Sequence, residues 1–282
     1  MPWFPDFVNA AELARKQTRA TGQADPVGQY IAALDRGETG PLETTWPGHV
    51  TVYDPRAGEV KGHRELRHFV RESQALLAAR HARTETVART VAGDRAVVEL
   101  MAHVTVDGHE QPWPAAIVAD SAGDRSITFR TYLSLWVLDG QHHPRPPILS
   151  PGVAPPAPPG GIVGRYQAAL AAGDTDAIVA TFTPDGYFQE PLGPPHAHRG
   201  QAELRDFFTR CFSDGGIGLE TCRITDDGTR CALEYNLVTW GRGEMPPQPG
   251  LAVFERSPDG LLAAARIYDD VAAPPAAAPP AP

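Results

Sequence analysis

The chain has 282 residues, which is enough for two domains of ordinary size. Hydrophobic residues make up 42% of the chain and charged residues 21%, so it can bury apolar cores and does not have the composition of a disordered chain. The formal net charge of −9 argues against a basic surface for nucleic acid or for an anionic membrane.

The cysteines and the N-terminus exclude further classes. The three cysteines are odd in number and lack the spacing of zinc ligands, so they predict neither a disulfide framework nor a metal site (Cys211, Cys222 and Cys231). The first residues lack the basic segment followed by an apolar segment that is typical of a signal peptide. No stretch approaches about 18 uninterrupted apolar residues. We therefore expect a cytoplasmic protein with no membrane segment.

The N-terminal part begins with an extension, residues 1–24, in which residues 6–20 have the composition of a helix. A second helix is predicted next, because Val27, Tyr30 and Leu34 recur at helical spacing. Gly37 then provides the residue type that favours a left-handed helix end.

The chain contains an internal repeat. The segment from Tyr30 to Gly37 returns as Tyr166 to Gly173, 136 positions later, and the same offset aligns Trp46 with Phe182. The second copy has a two-residue insertion, and the offset between the copies returns to its first value near their ends. We therefore predict two copies of one fold. Their predicted bounds are 25–141 and 162–271.

Each copy shows helices first and strands afterwards. In the second copy a short helix is predicted from Thr175, a strand over 187–190 and a helix over 201–212. Residues 97–106 alternate between apolar and mixed side chains, as an antiparallel strand does. About four such strands follow the helices in each copy, which predicts an α+β fold with a curved antiparallel sheet around the helices.

Two segments lie outside the predicted domains. Residues 142–161 contain eight prolines between Pro144 and Pro159 and predict an extended connector without a core of its own. Residues 272–282 are rich in alanine and proline and predict a disordered tail.

The order of elements and several motifs resemble the NTF2-like superfamily, and within it the group of ketosteroid isomerase-like and SnoaL-like polyketide cyclase proteins. The second copy carries the resemblance through Tyr166–Asp174, 184–186, 190–193 and Gly200, and the first copy matches more loosely. The resemblance implies two cone-shaped domains, each with a deep and mostly apolar pocket. A fused pair of such domains is similar to an intramolecular dimer.

The resemblance also implies catalytic roles. A carboxylate before proline at the end of the first strand would be the base, and a first-helix tyrosine would donate a hydrogen bond, which assigns Glu190 with Tyr166 and Asp54 with Tyr30. A carboxylate in an apolar pocket has a raised pKa that suits it to proton transfer. The alternative is structural, because a helix tyrosine often fills a core and a carboxylate before proline often caps a turn.

One departure argues against steroid isomerisation. The second hydrogen-bond donor of the family is a protonated carboxylic acid on a central strand, and its aligned positions here are Ala116 and Ala252. An alanine side chain cannot donate, and one such donor contributes about 3–4 kcal/mol of transition-state stabilisation. Epoxide opening, cyclisation, dehydration and simple binding stay open.

Secondary candidates are of two kinds. Side chains that could line a pocket and bind substrate are His196, His198, Trp240, Trp113 and Tyr187. Other charged residues lie at equivalent strand positions of the two copies. For Glu99 and Glu234 a solvated or interface face is favoured over a place in the pocket. For Arg130 with Tyr132 and Arg266 with Tyr268, which lie at i and i+2 of the last strand, a structural ion pair is favoured over a clamp for a substrate anion.

Two functions are therefore carried forward. The first is an isomerase, cyclase or epoxide hydrolase that needs no cofactor or metal and acts on a small, hydrophobic, polyketide-like molecule, with the second copy as the better site. The second is a non-catalytic protein that binds a small molecule or a peptide, or serves as a scaffold. In either case the two copies pair within the chain, and a homodimer is a further possibility that the sequence leaves open.

Overall fold

A computed structural model describes residues 25–151 and 159–271. The predicted N-terminal helix and the predicted disordered tail lie outside these described residues. The described chain forms two domains of the same architecture, which we call domain 1 (residues 25–141) and domain 2 (residues 161–271), joined by a connector that contains residues 142–151. Each domain consists of helices followed by a six-stranded sheet.

The elements of domain 1 are α1 Pro26–Arg36, α2 Gly40–Thr45, β1 Val50–Asp54, β2 Gly58–Lys61, α3 Gly62–Ala79, β3 Arg83–Ala92, β4 Arg95–Val106, β5 His109–Ser121, β6 Ile127–Leu133 and α4 Trp136–Asp139. Those of domain 2 are α5 Gly161–Ala172, α6 Thr175–Val179, β7 Phe182–Gln189, a 3₁₀ turn Pro194–His196, β8 Ala197–Arg199, α7 Gly200–Cys211, β9 Ile217–Asp226, β10 Arg230–Trp240, β11 Gly243–Arg256 and β12 Leu262–Tyr268.

The predicted first helix of each domain and its end at a glycine are confirmed. The Asp25 side chain accepts a hydrogen bond from the Gly28 amide at 3.0 Å and thereby caps α1. Gly37 and Gly173 end α1 and α5 with φ angles of +73° and +66°, in the left-handed region that glycine adopts without strain.

Each sheet contains both parallel and antiparallel strand pairs, whereas the sequence predicts an antiparallel sheet. Their strand orders are β2-β1-β6-β5-β4-β3 and β8-β7-β12-β11-β10-β9, and the first long strand of each domain pairs in parallel with the last. The predicted meander accounts for the four later strands of each domain. The first strand of domain 2 begins at Phe182 rather than at Tyr187, so the 183–186 segment lies within the strand.

One face of each sheet packs on the helices of its own domain, and the opposite faces of the two sheets pack on each other. The inner face of β4 contributes Val98 and Leu100 to the core of domain 1, whereas Val97 points the other way. This second face forms a small apolar interface cluster with residues from both domains: Val97, Ala116, Val118, Tyr132, Ala232, Leu251, Val253 and Tyr268.

The connector is more closely packed than expected for an isolated extended segment. Ile148 packs against the interface cluster, the Arg145 guanidinium donates to the Thr131 carbonyl at 2.8 Å, and the Leu149 carbonyl accepts from Asn236 at 2.9 Å. Its described residues are therefore held to both domains.

Candidate functional site

Glu190 lies directly after β7, at the point where the chain leaves the sheet of domain 2. Its amide donates to the His196 carbonyl at 3.1 Å, so the 3₁₀ turn returns the chain beside it. The next strand, β8, pairs with β7 so that His198 lies opposite Phe188. This register brings the His198 Nε2 atom to 2.8 Å from Glu190 Oε1.

The imidazole of His198 is held on a second side. Its ring stacks on the Phe207 ring, with centroids 4.2 Å apart and planes at 20°. The side chains of Glu190 and His198 are 32% and 20% exposed, so the pair lies at the rim of the domain. A carboxylate bound to a histidine can accept or release a proton and remain oriented while it does so.

Tyr166 lies deeper in domain 2 than Glu190. It is 2% exposed and makes edge contacts with Phe182, Phe208 and Phe254. No hydrogen bond joins Tyr166 to Glu190 within the described residues. Burial and then the Glu190 charge raise the pKa of the Cys211 thiol to about 12.

Asp54 occupies the equivalent position in domain 1, but it has a different bonding pattern. Its Oδ1 atom accepts hydrogen bonds from the amides of Arg56 and Ala57, at 2.9 and 3.1 Å, as in a carboxylate-capped turn. Tyr30 is fully buried and stacks on Phe129 at 4.3 Å, and its hydroxyl has no hydrogen-bond partner among the described residues. Burial and then the nearby Asp54 charge raise the pKa of Tyr30 well above its ordinary value.

The two carboxylates are therefore not enclosed in apolar pockets as expected. Asp54 and Glu190 are both partly exposed, and the interior behind Glu190 is filled by aromatic side chains. Two surface grooves of the described part of domain 1, one beside β2 and α3 and the other along α1, are lined by neither Asp54 nor Glu190.

Of the remaining predicted substrate-binding residues, His196 lies beside Glu190, and the two tryptophans have other hydrogen-bond partners. The His196 backbone contacts Glu190, as described above. Trp240 Nε1 donates to the Cys211 carbonyl at 3.2 Å and fastens the end of α7 to the sheet. Trp113 Nε1 donates to the Ser134 carbonyl at 2.8 Å inside a packed cluster of domain 1.

Tyr187 lies on the face of β7 opposite Phe188, away from the domain core. Its hydroxyl accepts a hydrogen bond from Arg266 at 3.0 Å, and the Arg199 guanidinium lies 4.6 Å from its ring centroid. Because these contacts belong to the sheet surface, we leave Tyr187 out of the site.

The charged residues at equivalent strand positions form ion pairs between the domains, so the two glutamates lie on the interface face and not on a solvated one. Arg130 donates to Glu234 from Nε at 2.6 Å and from Nη2 at 3.0 Å, and Tyr132 donates to the same carboxylate at 2.8 Å. Burial alone would lower the pKa of Arg130, but the Glu234 charge raises it above its ordinary value. Glu99, Arg266 and Tyr268 repeat the arrangement with the domains exchanged.

The alignment of Ala116 with Ala252 is wrong by one residue. Strand pairing places Ala116 opposite Glu99 and Tyr132, and in domain 2 the residue opposite Glu234 and Tyr268 is Leu251. Ala116 therefore faces the other domain, whereas Ala252 faces the core of its own domain. Neither position carries an acid.

A buried acid does occur elsewhere in domain 2, and the sequence reading missed it. Asp269 follows β12 and accepts a hydrogen bond from the Tyr235 hydroxyl at 2.7 Å. Extending the β12 alternation by one step would have found it, because Ala265 and Ile267 face the core and Asp269 comes two residues later.

Comparison with known proteins agrees with this architecture. The family model of the SnoaL-like domain matches residues 27–141 and again residues 163–265, which together are more than half of the chain. The chain belongs to the SnoaL-like domain family. Comparison with curated proteins gives no match.

Solved structures similar to this SnoaL-like chain each cover 38–39% of it. They include a candidate polyketide cyclase from Xanthomonas campestris pv. campestris (26% identity, 86% of that chain, TM-score 0.32). A second is the epoxide hydrolase/cyclase-like enzyme SalBIII, described in pyran ring formation in salinomycin (24%, 86%, 0.33). A third is a protein with a ketosteroid isomerase-like fold from Catenulispora acidiphila (15%, 85%, 0.34).

The tandem SnoaL-like domains differ in their chemistry. Val52 pairs with Val60 at the place where Phe188 pairs with His198, so only domain 2 has a histidine beside its rim carboxylate. Across residues 25–151 and 159–271, no three His, Cys, Asp or Glu side chains cluster as metal ligands would. In the same residues no helix has the length and apolarity to cross a membrane.

Proposed function

We propose that domain 2 catalyses proton transfer on a small hydrophobic, polyketide-like molecule, as an isomerase, cyclase or epoxide hydrolase, with Glu190 as the acid/base residue. The observation that carries this proposal is the 2.8 Å hydrogen bond between Glu190 and His198. Membership in the SnoaL-like domain family supports the general kind of function.

The two oxygen atoms of the Glu190 carboxylate have different surroundings. Oε1 is bound by His198, while Oε2 has no partner among the described residues and is available to a substrate proton. With Nε2 protonated, His198 stabilises the carboxylate and fixes its orientation. Because Glu190 is one-third exposed, it can exchange the proton with water after each cycle.

Domain 1 is not assigned the same chemistry. The Asp54 carboxylate is bound by two backbone amides of its own turn, and it has no histidine beside it. Tyr166 stays in the proposal as a hydrogen-bond donor to a substrate oxygen, because a buried phenol gains from such a partner.

Two probe reactions test the proposal. In D₂O, base-catalysed exchange at the acidic carbon of 2-tetralone measures proton abstraction, and ring opening of styrene oxide measures acid/base attack on an epoxide. Glu190→Gln is expected to lower the rate by about 10²–10⁴, the usual contribution of general acid–base catalysis. Glu220→Gln, an exposed carboxylate on β9, is the matched control. An unchanged rate in Glu190→Gln would refute the role of Glu190.

The second candidate is a binding or scaffold protein. It is favoured by the packing of Tyr166 against three phenylalanines, which gives this tyrosine a structural role. Mass spectrometry of small molecules released from the denatured protein, combined with the two probe reactions, separates the candidates. A bound molecule that is released unchanged, together with no reaction of either probe, supports binding alone.

A further inference from the structure

The loop that begins at Glu190, residues 190–196, is closed on itself by three backbone hydrogen bonds. The Gly193 amide donates to the Glu190 carbonyl at 3.1 Å, and the Glu190 amide donates to the His196 carbonyl at 3.1 Å. The His196 amide donates to the Gly193 carbonyl at 2.9 Å. Gly193 has φ and ψ angles of +92° and −166°, a conformation that is essentially restricted to glycine. Because it is bonded to Glu190, a displacement of Gly193 also displaces the Glu190 backbone.

Domain 1 covers this loop at Gly193. The glycine is buried, although the two residues that follow it are exposed. A Cβ atom on Gly193 would lie 3.3 Å from Pro114 Cδ and 3.6 Å from the Cβ and Cγ atoms of Pro112. Both prolines belong to β5 of domain 1. The 190–196 loop therefore packs directly on the other domain.

The sequence of β5 explains why the two prolines face domain 2. Pro112 and Pro114 alternate with Trp113 and lie on the same strand face as Ala116, which belongs to the interface cluster. β5 pairs with β6 only from Ala115 onward, so the prolines lie where β5 forms an edge on that side, and proline is tolerated there. The proline ring fixes the φ angle, so this surface of domain 1 is stiff.

The segment that carries the prolines is anchored to both domains. Trp113 is 5% exposed, and its Nε1 atom donates to the Ser134 carbonyl at 2.8 Å. The Ser134 hydroxyl donates to Asp270 of domain 2 at 2.7 Å. Asp270 lies two residues after β12, which pairs with β7, the strand that leads to Glu190. The prolines are thus fixed relative to the sheet from which the 190–196 loop emerges.

The corresponding turn of domain 1 has no such support. A Cβ atom on Gly58 would meet no atom within 4 Å, and residues 56–58 are exposed. Pro247, the counterpart of Pro112 by the strand register described above, is exposed as well. The turn is closed instead by the Asp54 side chain, which accepts hydrogen bonds from two of its amides.

This difference determines which carboxylate is available. Asp54 is engaged in closing its own turn, whereas backbone bonds and the contact with domain 1 close the 190–196 loop. Within the described residues Glu190 accepts no hydrogen bond from an amide of its loop, and its side chain binds His198.

We propose that Pro112 and Pro114 are positioning residues of the domain 2 site. They hold the 190–196 loop from domain 1, so that the Glu190 carboxylate stays available to His198 and to a substrate. This inference rests on the proposed function. It gives domain 1 a role in the reaction of domain 2 that acts through the loop and not through contact with the substrate.

The first test needs no substrate. In ¹⁵N-labelled protein, hydrogen exchange at the Gly193 and His196 amides measures the opening of the loop bonds. Pro112→Ala and Pro114→Ala each remove two methylene groups, so each is expected to speed exchange at both amides by about tenfold. Pro247→Ala is the matched control and should leave these rates as in the wild type. Unchanged exchange in both variants of domain 1 overturns the inference.

The same spectra show whether a general loss of structure contributes. Amides of β10, in the core of domain 2, should exchange as slowly as in the wild type. Pro112 is half-buried whereas Pro114 is buried, so Pro112→Ala is the decisive variant if Pro114→Ala does not fold.

The second test uses the two probe reactions. A misplacement of a reacting group by about 1 Å can cost about 10²-fold, so Pro112→Ala is expected to lower kcat by about 10-fold to 10²-fold and to change KM little. Pro247→Ala should keep the wild-type kcat. In a Glu190→Gln background Pro112→Ala should cost nothing more, because the carboxylate that it positions is gone. An equal further loss in that background would show a general structural effect and overturn the inference.

The outcomes separate this inference from the proposed function. Loss of activity in Glu190→Gln with wild-type kcat in Pro112→Ala and Pro114→Ala overturns the inference and keeps the proposed function. A wild-type protein that reacts with neither probe refutes the proposed function and with it the role of the prolines in catalysis. Faster exchange in the loop, together with a loss of kcat that disappears in the Glu190→Gln background, supports both.

Discussion

Glu99 of domain 1 and Arg266 of domain 2 form a two-point ion pair across the packed sheets, with Nε–Oε2 and Nη2–Oε1 distances of 2.5 and 3.0 Å. Glu99 is 1% exposed, and Tyr268 donates to the same carboxylate at 2.8 Å. The pair of Arg130 with Glu234 mirrors it. Each domain therefore contributes one buried carboxylate and one buried guanidinium to the interface.

The first prediction concerns the loss of one partner of this ion pair. Glu99→Ala leaves the Arg266 guanidinium buried without its main counter-charge and should lower the free energy of unfolding by about 3–5 kcal/mol. Urea denaturation measures the change. Glu110→Ala removes a carboxylate that pairs with Arg83 at the surface, and its effect should stay below about 1 kcal/mol. Equal effects of the two variants would contradict the argument.

The second prediction concerns the close contact of Tyr235 with β11. Gly250→Ala places a Cβ atom against the Tyr235 ring and should cost about 1–3 kcal/mol by overpacking. Thermal unfolding checks this. Gly40→Ala is the control, because its Cβ atom meets no atom within 4 Å. If Gly250→Ala unfolds at the wild-type temperature, the ring does not rest on Gly250.

Much of the fold could be predicted because the two copies of the repeat align with each other at the same offset near their beginnings and ends. The agreement of Tyr30 with Tyr166 and of Gly37 with Gly173 indicates two domains before any strand is assigned, and the alternation on β4 separates Val98 from Val97 correctly. The same alternation places Glu99 on the face away from the core, but it does not distinguish a solvated face from an interface. These features depend on neighbours along the chain, which the sequence shows directly.

The site could be predicted only in part because it depends on pairing between strands. His198 reaches Glu190 through the β7–β8 register, and Tyr235 reaches Asp269 across a third strand. The one-residue difference between the copies that misaligned Ala116 with Ala252 likewise shows only in the strand pairing. The sequence alone contains none of these registers.

The third prediction tests the electrostatic contact between Glu190 and Cys211. Burial and the Glu190 charge raise the pKa of the Cys211 thiol to about 12, so iodoacetamide should modify it slowly at pH 8. Glu190→Gln removes the charge and should therefore increase the rate of modification, followed by peptide mass spectrometry. Glu220→Gln should leave the rate at Cys211 as in the wild type. A rate at Cys211 that does not respond to Glu190→Gln would place the two groups too far apart to interact.

The fourth prediction concerns the dependence of stability on pH. The pKa of Asp269 in the folded protein, about 6, exceeds the ordinary value of 3.8, so the folded state binds this proton more tightly than the unfolded state. The stability associated with Asp269 is therefore complete below about pH 4, falls as pH rises to about 6, and is constant above. Two pKa units correspond to roughly 3 kcal/mol.

Asp269→Asn cannot ionise, so the difference in unfolding free energy between the wild type and this variant isolates the effect from that of other carboxylates. Between pH 4 and 7 the wild type should lose roughly 2 kcal/mol relative to Asp269→Asn, measured by urea denaturation at each pH. Asp185→Asn, at an exposed position of β7, is the matched control. A constant difference for Asp269→Asn would mean that Asp269 keeps an ordinary pKa and is hydrated in the folded protein.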